Sequence, residues 1–233
     1  MQHYIDLSFW TKCAEGSQRE IYQNPSDPDV LVKVVKAHGR GERGARKSSR
    51  KMQWLRRFRR FGAYMTFHRE IDEYLEQARK VNSDESFDLP IPRIFGLTHT
   101  SNGLGLLVER IANRDGKLSP TLTQLIFSGR LTEAHLRLVD QFFDRCRESH
   151  VVLMDINPGN FVITDRSGRE EIFCIDGTGE KHFFKIYAAS QSLNNVRLHF
   201  ARKKLLDKVG RFQVLAREKA ASQVPLEACP ASH

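Results

Sequence analysis

A chain of 233 residues, 40% of them hydrophobic, is long enough to bury a core, as one large domain or as a small lobe joined to a larger one. Four scattered cysteines, Cys13, Cys146, Cys174 and Cys229, form no CxxC pair, which argues against a zinc knuckle or disulfide framework and for a reduced, cytoplasmic setting. The net charge of +9 invites an anionic partner, yet all of it sits in residues 40–60, RGERGARKSSRKMQWLRRFRR, where ten Lys and Arg face one acid; the rest of the chain holds 27 of each sign.

In chain order, IDLSFW (5–10), REIYQ (19–23) and VLVKVVK (30–36) read as strands of a small antiparallel sheet, with the turn-rich NPSDPD before the third. The basic segment begins with Gly and Ser, as a loop, and ends in WLRRF, as the start of a helix. FHREIDEYLEQARKV then places Phe67, Ile71, Tyr74, Ala78 and Val81 at helical spacing. LPIPRIFGL and GLGLLVERI return to the strand pattern, Pro90 and Pro92 confining the start of the first to a lead-in or edge. From Thr132, a capping residue, TEAHLRLVDQFFDRCRESH repeats apolar residues at Leu136, Val139, Phe143 and Cys146, which predicts a long buried helix. VVLM, FVIT and EIFCI follow as short strands, the last two around a hairpin turn, DRSGRE. The chain is helical and basic after residue 185, and its tail, 219–233, offers little to pack. No apolar run approaches the roughly 18 residues of a transmembrane helix, and the N-terminus lacks a basic segment leading into an apolar one, so neither membrane spanning nor secretion is expected. Sheet plus helix, then helix plus hairpin, is the order of an α+β protein of two unequal lobes, 1–110 and 111–218, meeting near residues 108–118.

The stretch MDINPGNFVI poses the functional question. Asp155 precedes its loop, Asn160 ends it, and Asp176 closes the next hairpin in CIDGTG. Two carboxylates and an amide are hard oxygen donors, suited to magnesium carrying phosphate rather than to zinc. Asp, Asn, Pro and Gly also favour ordinary turns, so the loop by itself decides nothing. Its context does more. A protein kinase's catalytic loop has an Asp, an Asn five residues later, then a hairpin leading to a second Asp followed by Gly. In the N-terminal half, Lys33 interrupts the apolar VLVKVV, where alternation alone would turn it to solvent, and Glu70 opens the periodic helix, with Glu73 one turn on as a competing partner for Lys33. AEGSQREIYQ could form a turn over phosphates, Gly16 and Ser17 permitting close backbone approach, with one glycine where the usual loop has three.

The series GSQREIY, VLVKVV, REIDEYL, LLVERI, DINPGN and IDG resembles the protein-kinase-like fold over roughly residues 14–185, with an abbreviated C-terminal lobe. Within that superfamily, the short chain and its D-I-N-P-G-N loop look most like the small bacterial PhoP regulatory network proteins of the YrbL type. The resemblance implies an ATP and Mg2+ site. Lys33, oriented by Glu70, would bind phosphates; Asp155 would take the acceptor hydroxyl's proton; Asn160 and Asp176 would hold the metal; and adenine would lie on Leu107–Ile111, against Val108, Glu109 and Ile111. Two departures stand out. The His-Arg pair that usually precedes the catalytic Asp is Leu153-Met154, and no Phe separates Asp176 from Gly177.

Phosphoryl transfer to an unidentified acceptor is the leading expectation. A non-catalytic nucleotide-binding pseudokinase is the second, and a basic nucleic-acid-binding adaptor the third. In the segment from Arg40 to Arg60, Trp54 and Phe58, with Phe61 just beyond, interleave with arginines. That pattern suits nucleic acid, an anionic membrane surface or a lipopolysaccharide core phosphate, and equally a solvated insertion. His150 and His182 lie near the loop in sequence but read as packing or surface residues.

Overall fold

The computed structural model describes residues 4–16, 18–36, 61–80, 89–180 and 185–222. Its N-terminal half is a six-stranded sheet: β1 (Tyr4–Ile5), β2 (Thr11–Glu15), β3 (Arg19–Gln23), β4 (Val30–Val35), β5 (Ile94–Thr100) and β6 (Gly103–Glu109), in the order β1-β5-β6-β4-β3-β2. Every pairing is antiparallel except β1 with β5. Alternation along β4 explains how it is buried on both faces. Val32 and Val34 pack with Leu7, Ile5, Trp10 and Tyr22 on one side. Leu31 and Val35 pack on the other with Phe67, Leu106, Val108 and Ile71. Lys33 lies on this second face and is buried. Of the two readings of Lys33, the solvent-facing one fails, because a helix, α1 (Met65–Lys80), covers that face.

The buried residues of α1 are Phe67, Glu70, Glu73 and Gln77, whereas Ala78 is exposed. The apolar stripe marked the right helix, but three of its four buried residues are polar, since it looks toward a charged site as well as a core. Val81 lies outside the described residues.

The C-terminal half packs α2 (Leu122–Phe127), α3 (Glu133–Glu148), the hairpin β7 (Phe161–Thr164) and β8 (Glu171–Cys174), and α5 (Gln191–Ser222) around one apolar core, with the short α4 (Ile186–Ala189), which buries no residue, leading into α5. Phe142 meets Phe143 and Phe161 edge-on, at centroid distances of 5.4 and 5.2 Å. Along α5, Asn194, Leu198, Ala201, Leu205 and Val209 recur at three- and four-residue spacing, so this basic helix buries one narrow stripe.

Three expectations are corrected and one element is added. IDLSFW is no strand beyond Ile5; Leu7–Phe9 is a 3-10 turn capped by Asp6, and the strand is the following TKCAE. VVLM makes only a bridge, Leu153 with Thr178, because side chains take the Val152 N–H and the Val151 and Leu153 carbonyls. The helix α2 was not foreseen, although Thr121 and Gln124 form a capping box at its start. And α5 continues to Ser222, into the segment read as tail.

Candidate functional site

Between the two halves lies a cavity of about 510 Å3, lined by Arg19, Lys33 and Glu70 from the sheet side and by Asp155, Asn160 and Asp176 from the loops opposite. That volume lies within the range of small-molecule sites. Gly16, Val108, Glu109 and Ile111 also line it, so the expected phosphate turn and adenine segment border the same space. Ser17 and the whole segment 40–60 lie outside the described residues.

Regular structure places the sheet-side charges. Lys33 Nζ donates to Glu70 Oε2 at 2.8 Å and to the Ile175 carbonyl at 2.8 Å. The choice between Glu70 and Glu73 is thereby made. Glu73 turns to the other half of the molecule, where one carboxylate oxygen accepts from the Val152 N–H at 3.0 Å and from Gln77 at 2.8 Å. Burial pushes the Glu73 carboxyl above its ordinary range despite these two donors.

Arg19 is the residue that reading the sequence missed. Its guanidinium, from the first residue of β3, bonds both Glu70 Oε1 and Asp176 Oδ1. Lys33, Glu70, Arg19 and Asp176 thus form a chain of alternating charge with no net charge. The side chains of Lys33, Glu70 and Arg19 are no more than 12% exposed, whereas that of Asp176 is 37% exposed. Burial acts to raise the Asp176 carboxyl, but Lys33, Arg19 and the Gly177 N–H outweigh it and hold the group below its ordinary value. Burial acts against the Arg19 charge in turn, and its two carboxylate partners more than compensate. One signal for Arg19 existed: it lies two residues before Ile21, which pairs with Lys33, so both project on the lysine's face. Using that signal required the hairpin register, which the sequence does not print.

On the opposite side the backbone is irregular and side chains hold it. Met154 and Asp155 donate their N–H groups to the Gly177 carbonyl, at 2.8 and 3.2 Å, so the two acidic segments cross. Gly177 has φ +91, and a Cβ there would lie 2.7 Å from the Asp155 Cβ; glycine is needed for the crossing. Gly179, at φ +82, would drive a Cβ into the Arg69 carbonyl, so this loop also packs directly on α1 beside Glu70. From behind, α5 grips the same loop. Asn194 donates to the Val151 carbonyl at 3.0 Å, Arg197 to that of Leu153 at 3.0 and 2.6 Å, and Lys208 to that of Ile156 at 2.5 Å. Asn160 Nδ2 donates to the Asp155 carbonyl at 3.1 Å and its own carbonyl accepts from Ile175, tying the loop's end to the second acid's strand.

Other groups have structural partners. The Glu109 carboxylate accepts from Arg166 at 2.7 Å and from the Arg93 N–H at 3.0 Å, so only its backbone and stem remain for the cavity. His150 Nε2 meets the Tyr187 carbonyl at 2.7 Å. Cys174 is buried and its thiol is pushed up to about 12, which makes it inert. His182 lies outside the described residues, and Phe61 stacks on His68 at 4.2 Å.

Chemically, the cavity offers two cations on one wall and hard oxygen donors on the other. Among the described residues no group of three His, Cys, Asp or Glu is placed to hold a metal. Asn160 and Asp176 line this cavity with oxygen donors of the type that suits magnesium arriving with phosphate oxygens, and they are too few for a metal held by protein alone. No helix among the described residues is long and apolar enough to cross a membrane.

Comparison with known proteins gives a consistent family. The model of the family described as PhoP regulatory network protein YrbL matches residues 5–210. The proteins named Uncharacterized protein YrbL of Escherichia coli (strain K12) and of Shigella flexneri are each 27% identical over 181 residues, covering 76% of this chain and 74% of theirs.

Proposed function

The chain belongs to the PhoP regulatory network protein YrbL family, and from the cavity of this family member we propose that it binds ATP with Mg2+ in an atypical, kinase-like site and transfers a phosphoryl group to an acceptor. The observation that carries the reading is convergence. Lys33 paired to Glu70 faces Asp155, Asn160 and Asp176 across one cavity, though these residues come from opposite ends of the chain. The order of the elements supports it too: a lysine strand, a glutamate helix, a long helix, an Asp-to-Asn loop, then a hairpin ending in Asp-Gly.

In this reading Lys33 binds the nucleotide phosphates and Glu70 fixes its ammonium. The adenine lies against Val108 and Ile111, with the backbone of Glu109 at its edge, and Gly16 closes over the phosphates. Asn160 and Asp176 would hold the metal, which when bound neutralises phosphate charge. Asp155 is exposed at the cavity and free of an ion pair among the described residues, as a base that must meet an acceptor hydroxyl should be. With little covalent chemistry to perform, the protein contributes position and electrostatics. An anionic acceptor is proposed because of the basic segment 40–60.

Calorimetry of Mg·ATP on wild type and Asp176→Ala tests the site: magnesium-dependent binding lost in the variant is expected, and undiminished binding in the variant would sink the assignment. A second reading, a nucleotide-binding protein without transfer, draws on Arg19 engaging Asp176 and on Leu153-Met154 standing where kinases have His-Arg. Release of radiolabel from γ-labelled ATP, to water or to the protein itself, separates the two. The adaptor reading would require Asp155→Ala to be silent while loss of residues 40–60 abolishes function.

A further inference from the structure

We propose that Arg19 is an exchangeable latch on Asp176: it holds the carboxylate in the free protein, and gives it up to a divalent cation when a triphosphate arrives to take the guanidinium. This inference rests on the nucleotide reading and adds how the site is loaded.

The geometry separates a group built to move from groups built to stay. Glu70 has two partners, Lys33 on Oε2 and Arg19 on Oε1, so it keeps a buried counter-charge if Arg19 departs. Asp176 is different, because among the described residues Arg19 is its ion-pair partner within 4 Å, while Lys33 acts on it from farther off. A divalent cation on the Asp176 carboxylate would stand beside the guanidinium on Oδ1. In a partly buried site two such charges repel strongly. The cation alone should therefore bind poorly.

The released guanidinium needs a new anion, and it is well placed to find one. Arg19 follows directly on the turn that includes Gly16 and Gln18, and all three line the cavity with Lys33. A planar guanidinium binds phosphate oxygens in a two-pronged manner that it shares with carboxylate, so the exchange conserves its hydrogen bonds. The four-charge chain is neutral at the start. Metal and triphosphate carry opposite charges, so each offsets the charge that the other brings into the cavity. Positive coupling between the two ligands follows. It also supplies, from an arginine, phosphate contact that a loop with one glycine would otherwise lack.

The test uses the full chain and Mn2+, whose free form is counted by electron paramagnetic resonance, with ATP added separately and jointly. Arg19→Met is expected to tighten Mn2+ binding in the absence of nucleotide by about tenfold, to weaken metal-free ATP binding by about tenfold, and to shrink the coupling between them. Asp176→Asn in the same background should remove the gain in Mn2+ affinity. An Arg19→Met protein that melts cooperatively but binds Mn2+ no better than wild type would overturn the latch and make Arg19 a strut. Should that variant not fold, Arg19→Gln decides: it keeps a hydrogen-bond donor but no charge, so Mn2+ affinity is expected to rise, and an unchanged value overturns the proposal. Tighter Mn2+ binding with no ATP binding in any form would instead sink the nucleotide reading and leave cation exchange at Asp176 standing.

Discussion

The two walls of the cavity are built by opposite means. On the sheet wall, Lys33, Arg19 and Glu70 ride on strands and a helix whose backbone bonds are satisfied within the elements, so the cost of the site lies in burying charge. On the loop wall, Asp155, Asn160 and Asp176 stand on irregular backbone, and α5 and Glu73 hold that backbone from outside the cavity. The sheet wall should fail through uncompensated charge, the loop wall through loss of distant clamps. A functional loop can therefore be disabled from a residue that never meets the ligand.

The largest effect is expected on the sheet wall. Glu70→Ala leaves Lys33 and Arg19 buried beside one fewer acid, and urea unfolding should show a loss of about 3–5 kcal/mol. A loss of about 1 kcal/mol or less, the scale of exposed pairs, would break the contrast by showing that solvent already screens these charges. Next comes the clamp. Arg197→Met removes both bonds to the Leu153 carbonyl and should cost about 1.5–3 kcal/mol. Mg·ATP affinity should fall with it although Arg197 does not line the cavity; unchanged affinity would mean that the loop holds its shape without α5.

A pH experiment sharpens the comparison further. The folded pKa of Glu73 lies above its ordinary 4.5, so the native state holds a proton that the unfolded chain releases. Wild-type stability from this group therefore falls as pH rises through that window. In Glu73→Gln the fall is absent, so the variant's stability relative to wild type should rise from its level below pH 4.5 to a plateau above the raised value. Urea midpoints over roughly pH 4 to 8 read it directly, and a pH-independent difference would remove burial as the cause. The smallest effect is Gly16→Ala. Its φ is not left-handed and a Cβ would sit 3.8 Å from the Arg19 carbonyl oxygen, so stability should change by under about 0.5 kcal/mol. ATP affinity should nevertheless drop if the turn approaches phosphate.

Legibility from sequence followed the same division. Lys33 and the helix bearing Glu70 could be found because period 2 and period 3.6 are local properties of a short window. So could the β7–β8 hairpin, whose turn is written in DRSGRE. The stretch VVLM looks like a strand because it is an apolar run, but Glu73, Asn194 and Arg197 take three of its backbone groups, which leaves a single bridge to the loop at Gly177 and Gly179. The helix α2 was short enough that its capping box, Thr121 with Gln124, was the main sign of it.

By itself the sequence determined which residue types could do chemistry and on which local elements they ride, since alternation, helical spacing and turn composition act over a few residues. Tertiary structure decided the partners. It gave Lys33 to Glu70 and sent Glu73 to Val152, and it joined Arg19 to Asp176 across 157 positions of chain. Those choices depend on strand register and on how α1 meets the acidic loops, which packing settles and no local window contains.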